Sequence, residues 1–187
     1  MTRIIAGAAG SLALAVPDAG TRPTSDRVRE SLFGALESAD RLHGAAVLDL
    51  YAGSGALGLE ALSRGAASAD LVEKSPRAAS VTERNARTVA RAVPGAVVRV
   101  HRAAVDAYLR SATTAFDLVF VDPPYDLDET SLTETLALLT PRLHEEAVVV
   151  VERATRSGEP RLPTGLVLDR AKKYGDTTLW WLTPIAE

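Results

Sequence analysis

The sequence predicts an α/β domain in which a mostly parallel sheet carries helices on both faces. Short apolar runs of strand length alternate with longer segments whose apolar residues recur at helical spacing. The first such strand runs directly into the glycine-rich turn Gly53–Gly58, a usual junction between strand and helix in these sheets. A length of 187 residues is enough for one well-cored domain of this kind and too short for two large ones.

Residues 1–40 predict a small extension ahead of a main domain at 41–187. Two short apolar runs, Arg3–Ala6 and Leu12–Val16, surround glycines, which is typical of a hairpin. The side chains at 24–26 are Thr, Ser and Asp, which accept hydrogen bonds from free backbone N–H groups and can begin a helix there.

Strands and helices then alternate along the chain. The predicted strands lie near 47–51, 69–73, 96–101, 117–121 and 147–151. The predicted helices lie near 56–64, 76–91 and 129–139, with a weaker one near 103–110. Right-handed crossovers between parallel strands put all their carboxyl ends at one edge of the sheet, where such folds bind ligands.

The tail departs from this alternation. Apolar runs at 166–168 and 177–182 flank Tyr174-Gly175-Asp176, a turn sequence. The tail therefore predicts a closing hairpin whose last pair of strands is antiparallel.

The glycine turn predicts a binding loop for a nucleotide-like ligand. Gly53 and Gly55 allow a sharp turn and close approach of the backbone to a ligand, and Gly58 allows close packing of helix on strand. The glycine pattern alone could serve a dinucleotide. Asp49 precedes the loop, and its charge would repel a pyrophosphate but favour an ammonium group. S-adenosylmethionine (AdoMet) has an ammonium, a sulfonium and a ribose and carries no phosphate.

An acid at the end of the second strand supports a ribosyl ligand. Glu73 lies 20 residues beyond Gly53, where a carboxylate commonly accepts hydrogen bonds from ribose hydroxyls. The alternative is an ordinary acid at a helix N-terminus, because Ser75-Pro76 follows and opens a helix. The full predicted cofactor site consists of Asp49, Tyr51, Gly53, Gly55, Glu73, Lys74 and Ala104.

The predicted catalytic loop is Asp122-Pro123-Pro124-Tyr125, directly after a buried strand. The prolines stiffen the loop and keep the preceding residues extended, so carbonyl acceptors are held in place. A carboxylate, rigid carbonyls and a flat ring can together accept hydrogen bonds from an amino group on a planar base and stack on that base. The alternative is a proline-ended turn with a tyrosine lid.

Composition excludes several classes of protein. The chain has no cysteine, so disulfides, thiolate metal sites and cysteine nucleophiles are absent. Its three histidines show no ligand spacing, and we predict no metal. A leader and an apolar run of spanning length are both lacking, so we expect a cytoplasmic protein without a membrane span.

The net charge of −3 argues mildly against a nucleic-acid partner, since RNA binding normally needs a positive face. A local patch can provide one. The predicted RNA-contacting residues near the N-terminus are Arg3, Arg22, Thr24, Arg27 and Arg29, and Lys172-Lys173 are further candidates. The alternative is that these charges are solvated and balanced by neighbouring acids.

The motifs together carry a family resemblance. Asp49-Leu-Tyr-Ala-Gly-Ser-Gly55 followed by Asp122-Pro-Pro-Tyr125 is similar to the AdoMet-dependent amino-methyltransferases. With Arg3-Ile-Ile-Ala-Gly7 and Arg22-Pro-Thr-Ser-Asp-Arg-Val-Arg-Glu-Ser-Leu-Phe33, the chain resembles the bacterial 16S ribosomal RNA guanine-N2 methyltransferases. The resemblance covers nearly the whole chain, with the motifs in the expected order and spacing.

The resemblance implies a Rossmann-like, seven-stranded class I methyltransferase fold with a small N-terminal hairpin-plus-helix extension that contacts RNA. It implies AdoMet as methyl donor and, as acceptor, N2 of one guanine in 16S rRNA (guanine 966 in the family's nomenclature). The substrate is then the assembled or partly assembled 30S subunit, with neighbouring ribosomal proteins as further partners. We expect the enzyme to act as a monomer.

Two departures from the family pattern matter. Residues 8–12 of the first hairpin carry no charge, which shifts the expected RNA contacts toward the arginines that follow. The stretch after the third strand also lacks the usual acid or amide for the adenine amino group, so either the Ala104 backbone or Asp106 would make that contact.

The expected mechanism is direct in-line methyl transfer. Hydrogen bonds from the guanine amine to Asp122 and to the Pro123 carbonyl would localise the nitrogen lone pair, and Asp122 would take the proton. Tyr125 would stack on an unpaired or flipped-out base.

Three other functions remain open from the sequence. The same chemistry could act on adenine N6 or cytosine N4 of DNA or RNA. The glycine loop alone would also suit an NAD-dependent oxidoreductase, and a non-catalytic ribosome-assembly factor could retain the fold.

Overall fold

The computed structural model describes residues 1–18 and 24–185. Its strands are β1 (Thr2–Arg3), β2 (Ala13–Leu14), β3 (Ala46–Leu50), β4 (Ser68–Val72), β5 (Val97–His101), β6 (Phe116–Val121), β7 (Leu143–Ala154), β8 (Leu166–Tyr174) and β9 (Thr177–Pro184). Its α-helices are α1 (Asp26–Ser38), α2 (Ala56–Ser63), α3 (Pro76–Ala92), α4 (Val105–Ser111) and α5 (Glu129–Leu139). Single 3-10 turns, Thr140–Arg142 and Thr155–Ser157, precede and follow β7.

Seven of these strands form one sheet in the order β5-β4-β3-β6-β7-β9-β8. The first five pair in parallel, whereas β9 runs antiparallel to both β7 and β8. The predicted α/β class, the seven strands and the antiparallel closing pair are confirmed. Because β4 and β6 lie on opposite sides of β3, the chain changes direction there and opens a crevice at the carboxyl ends of these strands.

Two layers of apolar side chains cover the sheet. Successive residues of a strand alternate between the layers: Val47 of β3 packs with one cluster and Leu48 with the other, and both are fully buried. The first cluster includes residues of α1, α2 and α3, and the second includes residues of α4 and α5. Strands buried on both faces account for the continuous apolar runs in the sequence.

The N-terminal extension shares the first of these clusters. Ile4, directly after β1, and Leu14 of β2 are fully buried. Phe33 of α1 packs against Phe120 of β6, with ring centroids 5.6 Å apart. The buried apolar side chains within residues 1–18 and 24–40 therefore belong to the hydrophobic core on one face of the sheet.

A buried carboxylate anchors this extension. Glu60 of α2 is fully buried and accepts hydrogen bonds from the backbone N–H groups of Ile5 (2.7 Å) and Ala6 (3.1 Å), and from Nε of Arg64 (2.8 Å). The predicted hairpin is present, but each strand has two residues where four and five were predicted. The reason is that the N–H groups of Ile5 and Ala6 bond to Glu60 instead of a second strand.

The closing strands are longer than predicted. β7 extends to Ala154 because its last six residues pair with β9, beyond the apolar run at 147–151. β8 continues from Leu166 to Tyr174 through a mostly exposed, charged stretch, 169–173. This strand lies at the edge of the sheet, where charged side chains are common because they discourage pairing with other chains.

None of the helices in residues 1–18 and 24–185 combines the length and apolar character needed to cross a membrane.

Replacing Glu60 by Gln tests its anchoring role. We expect Glu60→Gln to lower the free energy of unfolding by about 3 kcal/mol or more, because Arg64 and Arg29 would then lack their buried counter-charge. The matched control is Glu37→Gln, which removes a half-exposed partner of Arg64 and should cost less than about 1 kcal/mol. Urea denaturation measures both, and equal losses in the two variants would contradict the anchoring role.

Candidate active site

A cavity of about 270 Å³ opens at the carboxyl ends of β3, β4 and β6. Its walls come from three parts of the chain that are far apart in sequence. The glycine loop and Asp49 form one wall, the Asp122–Tyr125 loop forms another, and the N-terminal extension contributes Thr2, Thr24 and Arg29. Glu73, Lys74 and Val105 also line it.

The structure brings most of the predicted cofactor residues together. The lining includes Asp49, Tyr51, Gly53, Glu73 and Lys74. Gly55 and Ala104 lie beside the cavity instead, as the N-cap residues of α2 and α4. All four residues of the predicted catalytic loop line the cavity.

Asp49 is held in place by the helix that packs on its strand. Its Oδ2 accepts a hydrogen bond from the N–H of Gly58 at 2.9 Å, and the residue is only 2% exposed. Burial raises the pKa of Asp49 to about 7; the Gly58 hydrogen bond opposes this shift and the charge of Glu73 adds to it. An ionised Asp49 would therefore gain from a cationic ligand group.

The glycine loop is held by its neighbours. Glu73 accepts hydrogen bonds from the N–H groups of Gly53 (3.0 Å) and Ser75 (2.8 Å), one on each carboxylate oxygen. Asn85 of α3 donates to the carbonyl of Ser54 at 2.8 Å. Glu73 thus fixes both the loop and the start of α3, and each oxygen keeps a second lone pair available to a ligand. Its contact with a ribose stays a prediction.

Tyr51 occupies a conformation that non-glycine residues rarely adopt. Its φ is +62°. Its hydroxyl lies 3.5 Å from Oγ1 of Thr135, which donates to Oδ1 of Asp106 at 2.8 Å. Asp106, one of two candidates for the adenine contact, is thereby engaged on one oxygen by α5. Backbone strain of this kind is often found where a ligand binds.

Asp122 lies close to a second acid that the sequence did not single out. Thr24 donates to Oε2 of Glu152 at 2.8 Å, and Glu152 and Asp122 line the same small cavity. Burial raises the pKa of Asp122 well above its ordinary value, and the charges of Glu152 and Asp49 add to that rise. Burial likewise raises the pKa of Glu152. Glu152 directly follows the predicted strand 147–151. That position after a strand is the feature of the sequence that could have identified it as a site residue.

A smaller cavity of about 50 Å³ joins these two acids to the proline loop. Pro123, Tyr125 and Arg153 also line it. Tyr125 is 63% exposed, so one aromatic ring is available at the mouth of the site. A hydrogen bond from the N–H of Leu127 to the Pro124 carbonyl (3.0 Å) closes the turn behind it.

The predicted RNA-contacting residues divide into separate groups. Arg3 and Arg27 are exposed, and Arg3 lies 3.6 Å from Asp26. Thr24 instead points into the site, toward Glu152 and Asp122. Arg22 lies outside the described residues.

The prediction of Arg29 as a surface contact is corrected. Its side chain is 1% exposed because it packs between Thr2, Asp26 and Glu60. A side chain buried to this degree cannot contribute to an exposed basic face, so Arg29 is not a surface contact for RNA.

The sheet order and the acid-rich cavity at its carboxyl edge define a class I methyltransferase fold. The family described as conserved hypothetical protein 95 matches residues 2–183. Two relatives are called ribosomal RNA small subunit methyltransferase D. The one from Escherichia coli (strain K12) is 40% identical over 176 residues, which cover 92% of this chain and 85% of the relative. The one from Haemophilus influenzae is 35% identical over 177 residues, covering 92% and 89%.

Two solved structures agree with this assignment. The Escherichia coli protein yhhF has a TM-score of 0.83 at 38% identity and covers 100% of this chain and 99% of its own. A hypothetical protein from Thermus thermophilus has a TM-score of 0.81 at 32% identity, covering 99% and 100%. The chain therefore belongs to the conserved hypothetical protein 95 family, and the predicted family resemblance is confirmed.

The glycine loop yields a prediction about packing. A Cβ on Gly58 would lie 2.3 Å from Cδ2 of Leu71 and 3.2 Å from Cβ of Asp49. We expect Gly58→Ala to destabilise the fold by about 1–3 kcal/mol, because α2 can no longer pack as closely on β3 and β4.

Gly34, within α1, provides the matched control. A Cβ there meets nothing within 4 Å, so Gly34→Ala should be neutral or stabilise by up to about 1 kcal/mol. Thermal unfolding of both variants measures the difference, and equal stability of the two would disprove the close-packing requirement at Gly58.

Proposed function

We propose that this protein is an AdoMet-dependent methyltransferase that modifies N2 of one guanine in 16S rRNA, within the assembled or partly assembled small ribosomal subunit. The observation that carries this proposal is the pair of acids Asp122 and Glu152, which share a small cavity beside the proline loop and the main cavity. The names of the relatives, which refer to ribosomal RNA of the small subunit, support the class of substrate.

The cavity fits AdoMet in its charge. The raised pKa of the buried Asp49 carboxylate results from burial rather than from pairing with a cation. The ammonium group of AdoMet would provide the missing counter-charge. Glu73 keeps acceptor capacity for ribose hydroxyls, and the loop at Gly53 allows close approach of a ligand. When bound, AdoMet supplies an electrophilic methyl group on a sulfonium.

The acid pair favours guanine over the other amino bases. The guanine edge presents two kinds of donor side by side, the ring N1–H and the exocyclic N2 amine. Adenine and cytosine instead carry a ring nitrogen beside the amine, and this nitrogen is a hydrogen-bond acceptor. Its lone pair would face a carboxylate, and the two would repel each other. Two neighbouring carboxylates, Asp122 and Glu152, match two neighbouring donors. Burial raises the pKa values of Asp122 and Glu152. Hydrogen bonds from the two guanine donors would favour the ionised carboxylates and so lower both pKa values again.

The residues of the proline loop position the amine. Asp122 and the carbonyl of Pro123 accept its two hydrogens, which localises the nitrogen lone pair that conjugation with the ring would otherwise disperse. Asp122 then takes the proton that the amine loses. Tyr125 stacks on the base, a contact worth about 1–3 kcal/mol. The base must be unpaired or flipped out to enter.

The exposed arginines of the extension are the proposed RNA contacts. Arg3 and Arg27 are available on the surface, and Arg22 completes the set from the sequence motif. Each would act on the phosphate backbone and contribute to affinity rather than to base choice. We further propose a monomer that acts in the cytoplasm, where its substrate is assembled, with ribosomal proteins beside the target as partners.

The decisive experiment measures transfer of a tritiated methyl group from AdoMet to 30S subunits lacking the modification, with naked 16S RNA and duplex DNA as comparisons. We expect label in the 30S sample, on N2 of one guanine. Asp122→Asn should lower kcat by about 10²-fold or more while AdoMet affinity is kept, because the amine loses its acceptor and base. Asp126→Asn, an exposed acid in the same loop, is the matched control and should stay active.

The label also tests each alternative. Label on adenine or in DNA would replace the proposed substrate while leaving the class of enzyme intact. Full activity of Asp122→Asn would overturn the assigned mechanism, and bound AdoMet with no label anywhere would indicate a non-catalytic factor.

The raised pKa of Asp49 predicts that AdoMet binding depends on pH. The ligand's ammonium favours ionised Asp49, whereas the protonated acid offers it no charge. Affinity should therefore rise as pH increases through about 7, by roughly fivefold to tenfold between about pH 6 and pH 7.5. Calorimetric titration measures it.

Two controls isolate Asp49 as the cause. Asp49→Asn should bind AdoMet more weakly and with a flat pH profile. 5′-Methylthioadenosine, which lacks the amino-acid end, should bind wild-type protein independently of pH over this range. An unchanged pH profile in Asp49→Asn would assign the titration to another group.

A further inference from the structure

Arg29 is a buried cation with hydrogen-bonding capacity left over. It is among the largest fully buried side chains in the described part of the protein, at 1% exposure. Its Nη2 donates to Oδ1 of Asp26 at 2.7 Å and to Oγ1 of Thr2 at 2.9 Å. Its Nε and Nη1 are themselves buried and have no acceptor among the described residues. Leaving such donors unsatisfied costs free energy, so this arrangement calls for an additional acceptor.

The neighbouring acids do not provide that acceptor. Glu60 lies 3.9 Å from Nη1, beyond hydrogen-bonding distance, and its oxygens already accept from Ile5, Ala6 and Arg64. Asp26 is about half exposed and engages Nη2 alone. The two acids offset the charge of the guanidinium, but its Nε and Nη1 donors stay without an acceptor among the described residues.

The main cavity is the open space beside Arg29 from which a ligand acceptor can approach it. Arg29 lines that cavity together with Thr2, Thr24 and Asp49, and its burial shields it from groups in bulk solvent. A guanidinium presents its donors as a planar fork, which matches the two oxygens of a carboxylate. The cavity is thus lined by a buried acid, Asp49, and by a buried cation, Arg29, which has two donors without an acceptor among the described residues. An α-amino acid group, with ammonium and carboxylate on one carbon, complements both.

We propose that Arg29 binds the α-carboxylate of the amino-acid end of the methyl donor. This inference rests on the proposed function, since it takes AdoMet as the ligand. A competing acceptor site exists at the start of α2, where Ala56 and Leu57 line the cavity and Gly55 provides no side-chain cap. The experiment has to separate Arg29 from these backbone N–H groups.

Calorimetry with AdoMet and with decarboxylated AdoMet isolates the carboxylate. Removing the carboxylate makes the ligand more cationic, which by itself favours a cavity lined by Asp49, Glu73 and Asp122. We nevertheless expect wild-type protein to bind AdoMet roughly 10- to 100-fold more tightly than decarboxylated AdoMet, as expected for a charge-assisted pair. In Arg29→Met this preference should disappear or reverse, while affinity for decarboxylated AdoMet should change little. Arg29→Lys should keep part of the preference, since it retains charge but loses the fork.

Arg84→Met, an exposed arginine on α3, is the matched control and should keep the wild-type preference. The wild-type comparison needs no variant, so it decides the question even if Arg29→Met folds poorly. Equal affinities of the wild-type protein for the two ligands would overturn the proposal. A preference that persists in folded Arg29→Met would also overturn it and assign the carboxylate to the start of α2. Failure of wild-type protein to bind either ligand would instead overturn the proposed function.

Discussion

The site depends on the hydrogen bonds of the buried Glu60 carboxylate, which hold the N-terminal extension against the helix that follows the glycine loop. Glu60 projects from α2, which begins at the glycine loop, and it binds the backbone of the N-terminal extension at Ile5 and Ala6. Because backbone N–H groups are the donors, the extension is fixed in position regardless of its side chains there. That position brings Thr2 and Arg29 into the wall of the cavity. A cleft formed by the strand ends alone would lack these groups.

Acidic groups concentrate at the same sheet edge because parallel strands end together there. Asp49 is the penultimate residue of β3, Glu73 and Asp122 follow β4 and β6, and Glu152 lies on β7. Burial raises the pKa values of Asp49, Asp122 and Glu152, and the charges of neighbouring acids add to the rise for Asp49 and Asp122. The free protein therefore holds these acids in an unfavourable environment. Cationic and N–H-bearing ligands relieve it, which couples stability of the site to the ligands that fit it.

The sequence was sufficient for features that depend on local pattern. Alternating apolar runs placed Asp49, Glu73 and Asp122 at strand ends, and parallel topology then brought them to one edge. Arg29 could not be placed in this way, since its burial depends on contacts with Thr2 and Glu60, which lie 27 positions before it and in another helix. The full length of β8 could not be predicted from the apolar pattern either, because an edge strand needs no apolar face. The partnership of Glu152 with Asp122 depends on the parallel pairing of β6 with β7, which sets Val121 beside Val151.

The hydroxyl of Thr24 occupies the position of a ligand's hydrogen-bond donor at Glu152. In the free protein it already satisfies one oxygen of Glu152 at 2.8 Å. A base whose N–H group takes over that oxygen exchanges one hydrogen bond for another, so a correct fit gains little from this contact alone. A base that displaces the hydroxyl and offers an acceptor instead leaves the acid and the threonine both unsatisfied. Selectivity at this position then arises mainly from rejection, and the wrong base is penalised more strongly than the right one is rewarded.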